Sequence, residues 1–412
     1  MLVVLLGLIP ISLRRPVVAA AVYVAISVGS FYRLAYGYAS DQPWALLYIV
    51  VLFVALLFSR EHLVWKGVVR WLPFIPFLLW VTFSTIVALD STVSFERFYE
   101  FIKIQIGLIL VFSAIRTFKD VVFVYLAYTA SIAFHGVKAA LFVLKAAGPV
   151  TIQGPPGTVI TDNNHFAVAL ISCIPLLIYF ASRASSSFVR GACWGMIAGN
   201  ALTTLASLSR GGMLALSATA FLVLIRSGNR VKILLFSLPI LFLALQVMPP
   251  EFYARMSTIE TYDQDLSVKG RFEAWETAFN IAKSRVTGAG FEFYKNSDNW
   301  ARYSPESSTP RAAHSIYFQL LGDHGLIGLL LYLGAFGWII FIGKLKISGD
   351  YTDAARNLMD LRRAGVLSVL SIMIGGASLS LAYWEGLLLL LGLISCLRFV
   401  ATAELTLKSD ES

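Results

Sequence analysis

His314, in Arg311-Ala312-Ala313-His314-Ser315, stands where a long polar stretch gives way to an apolar run. An imidazole at such a boundary can exchange protons near neutral pH, or it can serve as a plain polar residue at a helix start. Arg210 occupies Ser209-Arg210-Gly211-Gly212, the break between apolar segments at 191–208 and 212–225. Its guanidinium is a planar fork that fits phosphate oxygens, and the paired glycines permit close approach of backbone or ligand. The plainer alternative is a tight hairpin whose arginine snorkels to lipid headgroups. Ionisable groups at membrane depth are costly, which weighs toward function for both residues.

Other cations sit on nearby apolar runs. His135, Lys138 and Lys145 share one face of segment 121–146, and segment 98–115 opens with Glu96, Arg97, Glu100 and Lys103. Two cationic stripes entering from one side suit an anionic ligand, although each lysine alone reads as snorkelling or as a local Glu–Lys pair. Gly154-Pro155-Pro156-Gly157 makes a rigid turn, and Asp162-Asn163-Asn164-His165 follows it. The Asx run offers hydrogen-bonding groups for sugar hydroxyls, and it equally suits the N-cap of a helix. Asp263-Gln264-Asp265 has the D-x-D spacing of metal-dependent sugar transferases, but no third acid or histidine lies near it, so no metal is expected. His324, beside Asp323 and ten residues past His314, reads as a packing or helix-orienting residue. Without a Gly-rich phosphate loop, nucleotide-driven chemistry is not expected.

These residues must be held by membrane helices. Of 412 residues, 58% are hydrophobic and only 14% charged, with a mean hydropathy of +0.74. That is too apolar for a soluble globule and the opposite of a disordered chain. The net charge of +9 is scattered among apolar runs rather than gathered into a basic domain, so nucleic acid is not an expected partner. Cys173, Cys193 and Cys396 are far apart inside apolar runs and make neither a disulfide framework nor a metal spacing. The N-terminus lacks the basic region and cleavage site of a signal peptide.

The expected fold is an all-α polytopic membrane protein with about twelve transmembrane helices, since about 20 apolar residues span a bilayer. Candidate segments are 17–30, 44–58, 71–89, 98–115, 121–146, 166–181, 191–208, 212–225, 231–248, 315–342, 364–383 and 386–400; segment 1–13 is left uncounted. Most Lys and Arg fall in one set of connections, among them Arg14, Arg60, Arg116, Arg183, Arg226 and Lys344, which places that side and both termini in the cytoplasm. Three regions follow: helices in 1–248, one long outer loop at 249–314, and helices with a cytoplasmic tail in 315–412. A loop of that length is usually functional. Within it, 270–284 reads as an amphipathic helix with Phe272, Trp275, Phe279 and Ala282 on one face, lying on the membrane or capping the bundle. No internal repeat or broken helix is evident, which disfavours a transporter.

Taken in order, Ser209–Gly212, Gly270-Arg271-Phe272-Glu273-Ala274-Trp275, Gly288-Ala289-Gly290-Phe291, His314-Ser315-Ile316-Tyr317 and Gly322-Asp323-His324-Gly325 are similar to signposts of a known family. With the long loop between them, the chain resembles, over most of its length, the O-antigen ligase and polymerase superfamily of bacterial envelope glycosyltransferases. The 154–157 and 162–164 stretches also look like exosortase-linked relatives described as O-glycosylation ligases, which leaves the acceptor open. The resemblance implies a GT-C-like enzyme of the bacterial inner membrane with its active site facing the periplasm. It would move a glycan from an undecaprenyl-pyrophosphate carrier, without nucleotide, metal or other cofactor, among membrane lipids. For a ligase the acceptor is the lipid A–core oligosaccharide. Arg210, Arg271 and His314 are the implied catalytic residues. Arg97, Lys103, Lys138 and Arg311, with Asn163 and Asn164, are the expected substrate contacts. His314 either takes the acceptor proton in an inverting displacement or only positions the hydroxyl. A polymerase, a protein O-oligosaccharyltransferase and a lipid flippase are the alternatives.

Overall fold

Short polar residues ahead of apolar runs set where the helices begin. The computed structural model describes residues 1–34, 37–59, 63–146, 152–226, 266–305, 309–342 and 353–409, and the regular structure among them is helical. The helices are α1 (Leu2–Arg14), α2 (Pro16–Ser27), α3 (Tyr38–Asp41), α4 (Trp44–Leu57), α5 (Leu63–Trp71), α6 (Ile75–Ile86), α7 (Ser91–Ala114) and α8 (Phe118–Lys145). They continue as α9 (Asn163–Arg183), α10 (Ser187–Ala206), α11 (Arg210–Arg226), α12 (Leu266–Ser284), α13 (Ser297–Tyr303), α14 (Ile316–Gly337), α15 (Asp353–Gly375) and α16 (Glu385–Ser409). Asp90 caps α7, Thr117 and Asp120 form a capping box on α8, and Asp162 caps α9, each satisfying amides that a helix start leaves bare.

Each candidate segment except 231–248, which lies outside the described residues, falls on a helix. By length and composition, four described stretches can cross a membrane: Trp65–Ile86, Phe118–Lys145, Asn163–Arg183 and Ile316–Phe341. Leu2–Arg14, Pro16–Ser27 and Trp44–Phe58 are apolar but shorter. The number twelve therefore remains an expectation from the sequence.

Helix α9 is the centre of the bundle. Every residue from Phe166 to Leu177 is buried, and α8, α10, α11 and α15 all pack on it. A helix that is apolar all round needs such neighbours. Between membrane helices, close packing and interhelical hydrogen bonds replace the hydrophobic effect as the glue, at about 0.6 kcal/mol per bond. Here Thr203 donates to the Gly136 carbonyl (2.8 Å), Asn200 to the Leu170 carbonyl (3.2 Å) and Thr219 to Ser371 Oγ (2.7 Å). Gly136 lets Asn200 sit directly against α8, where any side chain would strike its amide.

Helix α14 is broken, contrary to the expectation of continuous helices. Gly325 has φ +70° and ψ −175°, so the helical ladder is interrupted within the apolar run. The freed carbonyls of Gly322 and Asp323 accept from the amides of Ala289 and Gly290, both at 2.9 Å, and Trp80 Nε1 donates to the His324 carbonyl at 2.8 Å. Gly288-Ala289-Gly290-Phe291 and Gly322-Asp323-His324-Gly325 are thus two halves of one joint, and irregular backbone is tolerated at this depth because protein surrounds it. His324 is fully buried, with Nδ1 2.8 Å from Ser84 Oγ and with Phe77, Phe291 and Tyr383 around the ring, which is the packing role expected of it.

Helix α12 caps the bundle by packing on α14, but not through the expected face. Ala274, Thr277, Ala278 and Ile281 are buried, whereas Phe272 and Phe279 are 55% and 48% exposed. Small side chains allow the two helices to approach closely, and the large rings are left pointing outward. Trp275 lies between these faces, stacked on Phe318 at 4.9 Å.

Candidate active site

The starts of α9, α11 and α14 gather at one end of the bundle, with α12 packed on α14. Ser378 lies against Gly211, Ala167 against Gly212, and the Ile316 side chain against Gly376 just past the end of α15. Tyr317 reaches back from α14 to the Met373 carbonyl (3.0 Å). The opposite end is tied by Arg183–Asp360 (2.5 Å) and by Arg362 donating to the Ile340 carbonyl (2.8 Å).

Segment 311–314 is fastened to α12. Trp275 Nε1 donates to the Ala313 carbonyl at 2.7 Å, and the Arg311 guanidinium occupies the space that any side chain on Gly270 would need. Arg311 Nε also donates to the Thr309 carbonyl (3.2 Å). His314 follows in a left-handed conformation, φ +44°, which is uncommon for a residue other than glycine and is a form of strain found at functional sites. It turns the chain into α14 immediately ahead of the buried Ser315. Burial, then the Arg271 charge, holds the His314 pKa below its ordinary 6.5; His165 and Arg311 act in the same direction and Asp162 opposes them. At neutral pH this imidazole is uncharged, and Arg271, Arg311, His165 and Asp162 all lie within its electrostatic reach.

Arg210 is the first residue of α11. The turn before it is made by Leu208 at φ +55° and by the buried Ser209, whose Oγ accepts from the Gly212 amide at 2.9 Å. The expected tight hairpin is present, and it puts a half-buried guanidinium at a helix N-terminus, where the helix dipole adds positive potential. Asn163 Nδ2 donates to the Ser207 carbonyl at 2.7 Å and so ties the start of α9 to this turn. The amide of Asn164 is held by Asp162 Oδ1 (3.1 Å) and Asn163 Oδ1 (3.0 Å). The Asx run is therefore an N-cap, with Asn163 as the brace for Arg210.

Two of the predicted contacts pair with carboxylates, and a third, Lys138, lies near a buried histidine. Arg97 faces Glu292 at 3.8 Å, in a cluster where Lys295 also meets Glu292 (2.6 Å) and the Glu292 amide donates to Asp323 Oδ1 (3.1 Å). Lys103 makes an exposed pair with Glu100 (2.5 Å) over the Tyr99 ring. Lys138 is exposed on α8, close to His135, whose Nε2 is 2.5 Å from the Gly29 carbonyl. Asp263 and Asp265 lie outside the described residues.

Two residues at this end, Asp162 and His165, enter the sequence reading only through the Asx run and not as a pair. Asp162 Oδ1, besides capping α9, lies 3.1 Å from His165 Nδ1, and this hydrogen bond holds the carboxyl well below the usual carboxylate range despite burial acting against it. Asp162-x-x-His165, one helical turn apart at a helix start, is the signal that could have identified them.

Residues 193–333 match a family model described as O-antigen ligase, and residues 1–185 match one described as a family of unknown function. No curated protein matches the chain. Arg210, Arg271, Arg311 and His314 fall in the first match, and Asp162 and His165 in the second.

Proposed function

We propose that this chain is an O-antigen ligase, a reading supported by the match of residues 193–333 to a family model described as O-antigen ligase. It transfers a glycan from undecaprenyl pyrophosphate to a hydroxyl of the lipid A–core oligosaccharide, at the periplasmic face of the bacterial inner membrane. The observation that carries this reading is the grouping of Arg271, Arg311 and His314, at the end of the bundle where α11 begins with Arg210. When the bond between the anomeric carbon and the pyrophosphate breaks, negative charge grows on the phosphate oxygens. Preorganised cations aimed at such charge are often the largest catalytic contribution. Arg210 and Arg271 take that role, with Arg311 beside them, while the acceptor oxygen attacks from the opposite side and inverts the centre. A neutral His314 can orient the acceptor hydroxyl by accepting its hydrogen bond. Neither nucleotide nor metal is needed, since the pyrophosphate carrier is itself the activated group.

A flippase would also use a discontinuous helix. In α14, however, the freed carbonyls are taken by the protein's own Ala289, Gly290 and Trp80 N–H groups, which argues against a transported ligand binding there.

The test is a lipopolysaccharide gel of a deletion strain and its complemented partner, with carrier-linked glycan extracted from both. Loss of the whole ladder above lipid A–core, with polymerised glycan accumulating on the carrier, is expected. A single repeat still attached to core would instead indicate a polymerase. An unchanged ladder would overturn both and point to a protein acceptor or to lipid transport.

A further inference from the structure

The end of the bundle opposite the histidine turn carries a groove that the proposed reaction leaves unused. It holds about 590 Å³ of space, open on one side, between α5, the last turns of α14 and α16. Pockets that take small ligands span roughly 300–1,000 Å³. Val69, Leu72, Trp338 and Phe399 make apolar walls, and Arg398 supplies charge. Ser395 also reaches the groove, but its hydroxyl donates to the Arg70 carbonyl at 2.6 Å, which fixes α16 against α5. The Arg70 guanidinium is turned inward onto the Phe112 and Ile115 carbonyls. Trp338 opens a π-helical turn, Trp338–Ile342, a widened backbone frequent at functional sites.

The groove lies at a membrane boundary. Trp65–Ile86 and Ile316–Phe341 can each cross a bilayer, and the groove sits at the Trp65 end of one and the Phe341 end of the other. At about 1.5 Å per residue, the 22 residues of Trp65–Ile86 measure about 33 Å, close to the roughly 30 Å of a hydrocarbon core. Trp65 and Lys66, both exposed, therefore come at headgroup level, and Leu72 lies roughly 9 Å further in. Lys66 is one turn out from Val69 on the same face of α5. Indole rings and cations together are the composition of a membrane–water interface. The charge there has one sign: residues 63–86, 325–342 and 386–402 contain no Asp or Glu, yet they contain Lys66, Arg70 and Arg398.

We propose that this groove seats an anionic phospholipid of the leaflet opposite the candidate active site, which charge bias makes the cytoplasmic one. The phosphate lies against Arg398 and Lys66, and one acyl chain lies along Val69, Leu72 and Phe399. Basic pockets between membrane helices on that side are matched to such headgroups. A forked guanidinium suits phosphate oxygens, whereas a zwitterionic lipid brings its own ammonium to the same cations and is held less well. The lipid joins α5, α14 and α16, so it braces the far end of the helix whose head is the His314 turn. This inference stands independently of glycan transfer.

The experiment uses the full chain, delipidated in detergent and titrated with phosphatidylglycerol or phosphatidylcholine. Bound lipid is counted by native mass spectrometry, and Tm is followed in parallel. Phosphatidylglycerol should bind more tightly and raise the Tm further. A cation near such a headgroup is worth about fivefold in affinity. Arg398→Ala and Lys66→Ala should each weaken phosphatidylglycerol binding by that factor and leave phosphatidylcholine binding unchanged. Leu72→Trp, which fills the groove, should weaken both lipids. Arg356→Ala removes an exposed cation outside the groove, on the helix that Arg362 ties to Ile340 at the same end, and should bind as wild type does. Equal affinity for the two lipids overturns the proposal. So does an equal loss in Arg356→Ala and Arg398→Ala, which would mark a general attraction of charge. Wild-type binding in Leu72→Trp puts the lipid elsewhere and overturns it too. A polyprenyl carrier that stays bound after purification and that phosphatidylglycerol fails to displace would give the groove to the carrier's tail instead.

Discussion

Arg210 tests whether the turn before α11 grips phosphate or only carries charge. Arg210→Ala should reduce glycan transfer by on the order of 100- to 1,000-fold, the scale of losing one preorganised donor, with membrane levels unchanged on an immunoblot. Arg210→Lys should fail nearly as badly, because a lysine lacks the forked geometry; full activity there would reduce the role to a point charge. His314 gives a stability signature. Its depressed pKa means that the unfolded chain binds a proton that the folded chain refuses, so stability is present above pH 6.5 and is lost as pH falls below that value. Melting wild type and His314→Gln from about pH 7.5 to about pH 5.5 should show a steeper acid-side decline in Tm for wild type; parallel curves would contradict that environment. At this scale the sequence was most informative where type and spacing agree. The turn at Arg210 before two glycines and the helix entry after His314 were both legible. Asp162 and His165 were not, because a carboxylate before a helix is already accounted for by capping, and that explanation hid the ring bonded to the same oxygen.

At the scale of elements, the joint between Gly288–Phe291 and Gly322–Gly325 holds the loop onto the bundle. A side chain on Gly325 would meet the Val286 carbonyl, and φ +70° with ψ −175° is a conformation essentially confined to glycine, adding about 1–3 kcal/mol of strain for an L-residue. Gly325→Ala should therefore lower the Tm and expose 266–305 to limited proteolysis in membranes; a wild-type digestion pattern would show that the joint is dispensable. Trp275→Phe is gentler, since the ring can still stack on Phe318 but the bond to the Ala313 carbonyl is lost, worth about 0.5–1.5 kcal/mol. Transfer should drop more than stability does, because that bond positions His314. The apolar runs and their caps were readable as helices, since each is a local pattern. The break in α14 was not, because its glycine is strained only by what docks against it. The buried face of α12 was misread for a related reason. Large rings dominate an apolar pattern, whereas close helix contact selects alanine and threonine.

Across the whole molecule, the site is at the end that charge bias assigns to the periplasm, and that assignment has a direct test. Asp298→Cys, exposed in the first turn of α13, should react with a membrane-impermeant maleimide in cells with a permeabilised outer membrane, whereas Ser186→Cys, ahead of α10, should react only after lysis. The reverse pattern would invert the topology. Charge asymmetry can be summed from sequence alone, but which helix starts meet depends on packing between segments more than a hundred residues apart, such as 163 with 207 and 316 with 376.

The break in α14 also sets an order of events during biogenesis. Until residues 288–290 have docked, the Gly322 and Asp323 carbonyls lack the amides that satisfy them, at several kcal/mol for each bare group in lipid. The nascent α14 is therefore seated only provisionally, and its final seating waits for residues 288–290 to dock. Pulse-labelled chains should pass through a protease-sensitive stage that Gly325→Ala prolongs. The histidine turn at the head of α14 is thus completed only after that docking, so on the proposed function an unfinished chain would not draw on the carrier pool.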